Sequence, residues 1–489
     1  MPDALQILAD AIAAGAATSD TAMLAAMRGV FGERYHKRSA PHLDHDRPPF
    51  IRNAYGKGGG ETDHVAYAGF INPENPPSGP YGGTSLVWFP REEGCLIDFG
   101  IGTRGLSPDE GILTRPGHRR RIASLRRYLV ARGITIAWAR QDPATIGVPV
   151  PDLITKQLPA WEPVFKRYSN ELYCLAAVPK DNPAQARVVV QAFLDLYAYE
   201  RGWEVLKSAQ DEFRSFIASL NAISTPGADE IASLLDQRRF VVLEGPPGTG
   251  KSRVAEQILR ERYAGNGLIT QFHPSTTYED FVAGLSPDVT NANLRFAARK
   301  GHLLEAAAKA VDRPALLVVD EINRADLGRV LGEAIYLFEA ESGAPRSVRL
   351  PHAIDGAQTF TLPANLRVLA TMNTADRSVA RMDLAIRRRF AFVTMMPDRT
   401  VVQEHSTPIG LTLFDALCDV FLEFAPDDAL ALLPGHSYFL VRDGDEAALR
   451  TRLHYELLPL IDDYLREGYL GPATAALHAV RNRIADAAA

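Results

Sequence analysis

The chain has few cysteines, and this scarcity excludes two kinds of protein. Its 489 residues include only Cys95, Cys174 and Cys418, which lie far apart and form no Cys-x-x-Cys pair. A disulfide-rich secreted fold and a zinc knuckle of ordinary spacing are therefore excluded. No stretch approaches the 18 consecutive apolar residues of a membrane-spanning helix, and the N-terminus lacks the basic start of a signal peptide. We therefore expect a cytoplasmic protein.

Acidic residues are absent from one stretch of the N-terminal half. Between Glu110 and Asp142 there is no Asp or Glu, but there are eight arginines. The formal net charge of the chain is −6, so this segment is locally basic on an acidic protein. Helical spacing over residues 118–132 places Ile122, Leu125 and Leu129 inward and the arginines outward. Such a helix face is either simply solvated or binds phosphates or an acidic partner.

Five of these arginines are candidate contacts to DNA or another effector: Arg119, Arg120, Arg121, Arg126 and Arg127. Nearby aromatic residues would either stack on an extruded base or belong to the core, namely Tyr81, Trp88, Phe89 and Trp138. No family resemblance is evident in this half of the chain.

Composition and periodicity predict three domains. Residues 1–222 combine helical segments with Gly- and Pro-rich stretches and short apolar runs, which indicates an α+β domain for recognition or partner binding. Strands and helices alternate over residues 223–397, which predicts an α/β core with a parallel sheet. Residues 398–489 are mostly helical. The predicted core strands are 239–243, 268–272, 315–320, 366–371 and 390–395.

Residues 245–252 read Gly-Pro-Pro-Gly-Thr-Gly-Lys-Ser, a complete G-x-x-x-x-G-K-[ST] phosphate loop. The loop follows an apolar strand and precedes a helix, which is the context that the motif requires. Its backbone amides would face a polyphosphate, Lys251 would supply charge to the β- and γ-phosphates, and Ser252 would ligate Mg²⁺. The sequence therefore predicts binding of a nucleoside triphosphate. The predicted nucleotide-binding residues are Gly245, Pro246, Pro247, Gly248, Thr249, Gly250, Lys251, Ser252 and Asp320.

Polar residues follow two further apolar strands. Asp320 and Glu321 come at the end of the predicted strand 315–320. Asp320 would hold Mg²⁺ together with Ser252, and Glu321 would orient and polarise the attacking water. Asn373 comes after the second and is a candidate sensor of the γ-phosphate, although an Asn in this place is also a common turn residue.

Three consecutive arginines occupy positions 387–389. Arginines at a helix end can cap its carbonyl groups, or they can reach the γ-phosphate on a neighbouring subunit of a ring. Arg388 and Arg389 are the candidates for this second, catalytic role, and Arg389 is the preferred one.

These motifs together resemble the AAA+ superfamily and, more narrowly, the McrB family of motor subunits of modification-dependent restriction. The resemblance covers residues 238–466. The matching strings are FHPSTTYEDF (272–281), DEINRAD (320–326), MNTADRS (372–378), AIRRRF (385–390), PGHSYF (434–439) and YELLPL (455–460).

The resemblance implies an AAA+ core with a five-stranded parallel sheet, a C-terminal helical lid, a hexameric ring and a partner nuclease resembling McrC. It also implies that Asp376 and Arg377 respond to that partner. The substrate stays open between GTP, used by well-known McrB-like proteins, and ATP, used by most AAA+ proteins. His436 and Ser437 in the lid would approach the nucleotide or a neighbouring subunit, or serve a structural role.

The leading hypothesis is therefore a McrB-like motor that drives a partner nuclease in anti-phage defence, with an N-terminal module that recognises DNA or another invader signal. The sequence contains no nuclease motif, so cleavage would come from another chain. Two alternatives remain: a MoxR-like remodelling ATPase acting on a protein complex, and a sensor scaffold that binds nucleotide only to assemble. The intact Glu321 and Asn373 argue against the scaffold.

Overall fold

The computed structural model describes most of the chain, in two compact units. The described residues are 2–39, 51–53, 65–72, 74–75, 81–134, 136–140, 142–143, 148–221, 225–287, 296–339, 346–375 and 382–489. Residues 1–222 and 422–424 form the first unit, and residues 223–421 and 425–489 form the second. Within the described residues, no helix has the length and apolar character needed to cross a membrane.

The first unit contains a six-stranded antiparallel sheet. Its strands are β1 Ile51–Asn53, β2 Ala68–Phe70, β3 Thr84–Arg91, β4 Gly94–Ile101, β5 Ala137–Ala139 and β6 Leu172–Pro179. They lie in the order β1-β2-β3-β4-β6-β5. The central hairpin of β3 and β4 keeps continuous register, and both strands are buried along almost their whole length. The sequence did not predict β6, which lies between β4 and the edge strand β5 and pairs with both.

The helices described in the first unit surround this sheet. They are α1 Ala4–Ala13, α2 Asp20–Gly29, α3 Glu110–Leu113, α4 Pro116–Val130, α5 Asp152–Thr155, α6 Glu162–Tyr168, α7 Pro183–Glu200 and α8 Lys207–Asn221. The longest, α7, is central to the core: Phe193 stacks on Phe99 of β4 with ring centroids 5.3 Å apart. Ile122, Leu125 and Leu129 of α4 are buried, as the helical spacing predicted.

The second unit contains a parallel five-stranded sheet and two antiparallel hairpins. The strands are β7 Phe240–Gly245, β8 Gly267–Gln271, β9 Ala283–Pro287, β10 Phe296–Lys300, β11 Ala315–Asp320, β12 Ser347–Ile354, β13 Ala357–Thr361, β14 Leu366–Asn373 and β15 Ala391–Thr394. The parallel sheet has the order β15-β7-β14-β11-β8, and β9–β10 and β12–β13 form the hairpins. The predicted parallel five-stranded sheet is thereby confirmed. The hairpins were not predicted, because their strands are largely exposed and lack a continuous apolar pattern.

The helices described in the second unit cover the parallel sheet and then form the C-terminal lid. They are α9 Ala228–Arg238, α10 Lys251–Arg262, α11 Tyr278–Phe281, α12 His302–Lys309, α13 Leu327–Leu331, α14 Leu384–Arg387, α15 Arg399–His405, α16 Pro408–Phe424, α17 Glu446–Arg452, α18 Leu458–Arg466 and α19 Thr474–Ala488. A π-helical turn at Leu453–Leu457 joins α17 to α18.

Strand register brings the predicted site residues to one edge of the parallel sheet. Parallel strands present their carboxyl ends at the same edge, where α/β proteins bind ligands. At this edge Asn373 of β14 lies opposite Gly245 of β7, and Asp320 ends the adjacent strand β11. Three segments that are distant in sequence therefore meet there.

Candidate nucleotide-binding and catalytic site

The phosphate loop connects β7 to the N-terminus of α10. Gly248 and Gly250 have φ values of 77° and 78°, in the left-handed region that favours glycine. The twelve-residue helix α10 begins at Lys251, directly after the loop. Its free amides and helix dipole provide a ready-made site for anions.

The Lys251 ammonium group is held inside the loop. Its Nζ donates hydrogen bonds to the carbonyl oxygens of Pro246 at 2.6 Å and Gly245 at 3.1 Å. Burial lowers the pKa of Lys251 to about 8, and the nearby Glu321 and Asp320 carboxylates oppose this shift. The lysine is therefore a desolvated cation beside the two predicted acidic residues.

Asp320 is joined to the phosphate loop by a hydroxyl group. Ser252 Oγ donates to Asp320 Oδ1 at 2.7 Å, and Thr371 Oγ1 donates to the same oxygen at 2.5 Å. A carboxylate next to a hydroxyl is the kind of hard oxygen donor set that Mg²⁺ prefers. Within the described residues, no group of three or more His, Cys, Asp or Glu could hold a metal. A cation at this pair would therefore need further oxygens from a bound ligand.

Glu321 adopts a left-handed backbone conformation and is held by its neighbours. Its φ is +55°, which is uncommon outside glycine and concentrates at functional sites. Its backbone N–H donates to Thr371 Oγ1 at 3.1 Å, and Asn373 Nδ2 donates to its Oε1 at 2.6 Å. Arg324 Nε donates to the other carboxylate oxygen at 3.0 Å. The carboxylate thus has a fixed direction at the strand edge.

Thr371 is the site residue that sequence reasoning missed. Its hydroxyl links the side chain of Asp320 to the backbone of Glu321. The signal was weak, because a threonine near the end of an apolar strand is an ordinary β residue. Its position two residues before Asn373 on β14 would have been the only hint.

The consecutive arginines after α14 differ in their surroundings. Arg387 lies 3.7 Å from Glu244. Arg389 is turned inward: its side chain is 11% exposed, lies 3.9 Å from Glu339 and donates to the Ala385 carbonyl oxygen. Arg388 is exposed, and its guanidinium forms no hydrogen bond or ion pair with a described residue. Of the two predicted candidates, Arg388 is therefore the exposed one and Arg389 the inward-turned one, and the catalytic role of either stays a prediction.

The lid segment around His436 and Ser437 lies against the phosphate loop. Backbone N–H groups of Gly435 and Ser437 donate to the carbonyl oxygens of Pro247 and Gly248, both at 3.1 Å. The two predicted partner-responsive residues, Asp376 and Arg377, lie outside the described residues.

The predicted arginine face of the first unit is smaller than expected. Arg121 is buried, and its guanidinium donates to Glu200 of α7 at 2.8 Å. Its outward placement is therefore wrong: an acidic partner from a distant helix draws it inward. Arg119, Arg126 and Arg127 are exposed, and Arg120 is half-buried. Trp88 and Phe89 belong to the core and present no surface to a base.

Part of this chain resembles known proteins. Residues 240–390 match the family model "AAA domain (dynein-related subfamily)". The Type IV methyl-directed restriction enzyme EcoKMcrB subunit of Escherichia coli (strain K12) is 30% identical over 260 residues, which cover 48% of this chain and 56% of that protein. The Type II restriction enzyme BsuMI component YdiS of Bacillus subtilis (strain 168) is 24% identical over 189 residues, covering 31% of this chain and 55% of that protein. The chain thus spans about half the length of these relatives.

The family match and the parallel five-stranded sheet together show that residues 240–390 form an AAA-type domain. Within the AAA+ superfamily, the domain is McrB-like, as its sequence motifs predicted. The predicted α/β fold class and the predicted resemblance are both confirmed.

Proposed function

We propose that this chain is the motor subunit of a restriction system that uses GTP or ATP hydrolysis to drive a separate nuclease against phage DNA. One observation carries the proposal. The phosphate loop, the Ser252–Asp320 pair and the Asn373–Glu321 pair converge on one edge of the parallel sheet. Both relatives described above are components of restriction enzymes, which supports this function over MoxR-like remodelling.

The residues of the site fit a magnesium nucleotide. Ser252 and Asp320 would hold Mg²⁺ together with phosphate oxygens, and the cation would neutralise part of the phosphate charge. Lys251 would leave the loop carbonyl groups and move toward the β- and γ-phosphates. Glu321, oriented by Asn373, would accept a proton from the attacking water.

Arg388 supports a role for oligomerisation in hydrolysis. Its exposed guanidinium has no partner among the described residues and could stabilise phosphate charge at a neighbouring subunit's site. We propose a homo-oligomeric ring, most simply a hexamer, in which Arg388 completes the adjacent site. This arrangement makes hydrolysis depend on assembly.

A McrC-like nuclease subunit is the proposed partner. The motor chain has no nuclease motif of its own, so cleavage requires a second protein. Asp376 and Arg377 follow Asn373 closely in sequence, and we propose that the nuclease acts through them to raise a low basal rate of hydrolysis. Asp376→Ala should then reduce stimulation more than the basal rate.

The N-terminal unit is the proposed reader of DNA or another invader signal. Arg119, Arg126 and Arg127 remain exposed on α4 and give a local positive surface. If this surface binds DNA phosphates, its affinity should fall with salt by a log–log slope of about −0.9 per phosphate contacted. Replacing these three arginines with Glu should flatten that slope. If the wild-type protein binds no DNA even at low salt, the N-terminal unit does not have this role.

A phosphate-release assay on the full chain tests the central proposal. Wild-type protein should hydrolyse GTP or ATP, and the proposed nuclease partner should raise the rate.

Lys251→Ala should lose nucleotide binding, because the loop amides alone do not supply the cationic charge that offsets the triphosphate. Equal nucleotide affinity in wild type and Lys251→Ala would contradict the proposed site.

A further inference from the structure

The lid packs on the phosphate loop through main chain. Besides the two backbone hydrogen bonds to Pro247 and Gly248, the two segments contact each other where Gly435 of the lid meets Gly248 of the loop. A Cβ on Gly435 would lie 2.1 Å from the carbonyl carbon of Gly248, so no side chain fits between them. Any side chain carried by this part of the lid therefore lies close to the phosphate loop.

His436 is the side chain carried there, and its orientation is fixed. It is 8% exposed, and the backbone N–H of Asp398 donates to its Nδ1 at 3.1 Å. A ring nitrogen that accepts a hydrogen bond carries no proton, so a neutral imidazole here bears its proton on Nε2. Burial lowers the pKa of His436; of the charges facing it, the Asp398 carboxylate opposes the shift and Arg253 of α10 adds to it. The ring is therefore a neutral donor at Nε2.

The Nε2 donor is directed at the phosphate loop without a protein acceptor. It lies 3.6 Å from the position that a Cβ would take on Gly250, the residue immediately before α10. No hydrogen bond joins Nε2 to any residue in the described parts of the chain. Nε2 itself keeps access to solvent, since it is not one of the buried polar atoms that lack a partner. An oxygen of a phosphate held by the loop would take the place of water as its acceptor.

We infer that His436 is a further ligand-binding residue, whose Nε2–H donates a hydrogen bond to a phosphate oxygen of the bound nucleotide from the lid side. The inference rests on the proposed function, since it requires a nucleotide on the phosphate loop. It deepens that function by giving the lid a direct contact to the phosphate chain. Asp398 is then a positioning residue, because its backbone selects the tautomer that can donate.

Two substitutions separate the two ring nitrogens. His436→Asn keeps an acceptor near the place of Nδ1 but does not reach the place of Nε2. His436→Gln keeps an N–H donor near Nε2 but loses the acceptor for Asp398. The probes are inorganic tripolyphosphate and non-hydrolysable GTP and ATP analogues, each with Mg²⁺, titrated into the full chain by calorimetry. The melting temperature of each ligand-free variant is measured in parallel.

The inference predicts that His436→Asn binds all three probes about tenfold or more weakly, because a hydrogen bond to a charged oxygen is lost. Its ligand-free melting temperature should stay near that of wild type. His436→Gln should bind the probes within a few-fold of wild type but melt earlier. His405→Asn, exposed on α15, is the matched control and should change neither quantity.

Three results would overturn or redirect this conclusion. If His436→Asn binds all three probes with wild-type affinity, the proposed hydrogen bond from His436 to phosphate does not exist. Weaker binding of the analogues with unchanged tripolyphosphate binding overturns the assignment to phosphate and moves the contact to the base or ribose. Lys251→Ala tells the two proposals apart: if it alone loses binding, the inference about His436 fails, and if neither variant loses binding, the proposed nucleotide site fails with it.

Discussion

Asp195 in the first unit and Asp320 in the second are held by opposite kinds of partner. In the first unit, Asp195 is fully buried and its charge is neutralised by Arg34 at 2.5 Å, while the Tyr35 hydroxyl donates to the same carboxylate. In the second unit, Asp320 is held by the hydroxyl groups of Ser252 and Thr371, and among the described residues no cation forms an ion pair with it.

This difference separates structural charge from functional charge. A buried carboxylate paired with arginine is complete within the chain, so its removal is expected to affect folding. A carboxylate such as Asp320, which accepts hydrogen bonds only from neutral hydroxyl groups, keeps its negative charge available to bind an added cation such as Mg²⁺. The same contrast applies to arginines: Arg34 and Arg121 are paired inside the first unit, whereas Arg388 is exposed in the second.

The largest expected effect is the loss of Arg388. If it acts at a neighbouring site, Arg388→Ala should lower hydrolysis in the assembled state by about a thousandfold, with little change in nucleotide affinity. Mixing it with Lys251→Ala should restore part of the activity, because some interfaces then pair an intact site with an intact arginine. Phosphate release at saturating nucleotide measures both.

Arg389→Ala is the comparison variant for this prediction. Since Arg389 donates to the Ala385 carbonyl oxygen, its loss should lower thermal stability more than activity. The assignment to Arg388 would be wrong if Arg389→Ala were the variant that lost hydrolysis and regained it on mixing.

The next effect concerns Glu321. Glu321→Gln should reduce hydrolysis by about 10²–10⁴-fold while leaving nucleotide binding intact, because the amide retains shape but does not accept a proton. Glu305→Gln, at an exposed position on α12, is the control and should hydrolyse like wild type. Wild-type turnover in Glu321→Gln would exclude Glu321 as the general base.

Asp195→Ala tests the opposite side of the comparison. Removing this carboxylate leaves Arg34 buried without its partner, so the free energy of unfolding of the first unit should fall by about 3–5 kcal/mol. Urea unfolding measures this change, and nucleotide hydrolysis at moderate temperature should be unaffected.

Asp211→Ala, exposed on α8, is the matched control and should change stability little. A loss for Asp195→Ala no larger than that of this control would show that the buried pair contributes little to the folded state.

The smallest expected effect is the pH dependence conferred by Lys251. With a pKa of about 8 in the nucleotide-free loop, the lysine is charged below that pH and loses its proton above it. Bound phosphates favour the charged form, so binding at higher pH requires proton uptake, and affinity should fall about tenfold between about pH 7 and about pH 9.

Calorimetry in buffers of different ionisation enthalpy measures this proton uptake directly. Lys309→Ala, exposed on α12, should keep the same pH dependence. A constant nucleotide affinity across this range would show that Lys251 keeps its proton in the free loop.

The fold of the second unit was predicted from the sequence because its site is built from local patterns. The phosphate loop and the strand ends carrying Asp320 and Asn373 are contiguous motifs, and parallel pairing brings them together. Two features depend on contacts that no local pattern contains. Arg121 is buried because Glu200 reaches it from another helix, and Arg389 is turned toward Glu339, which is distant in sequence.

The glycines at the contact between lid and phosphate loop limit which foreign lids can be joined to this core. Gly248 lies in the phosphate loop and Gly435 in the lid. A Cβ on Gly435 would lie 2.1 Å from the carbonyl carbon of Gly248, and a Cβ on Gly248, whose φ is +77°, would lie 2.3 Å from the Ser437 hydroxyl of the lid. A chimera that joins this core to a lid from another protein must therefore carry glycine at both places. Exchange of either segment alone, with a larger residue at the seam, would prevent the lid from seating even if both parts folded correctly.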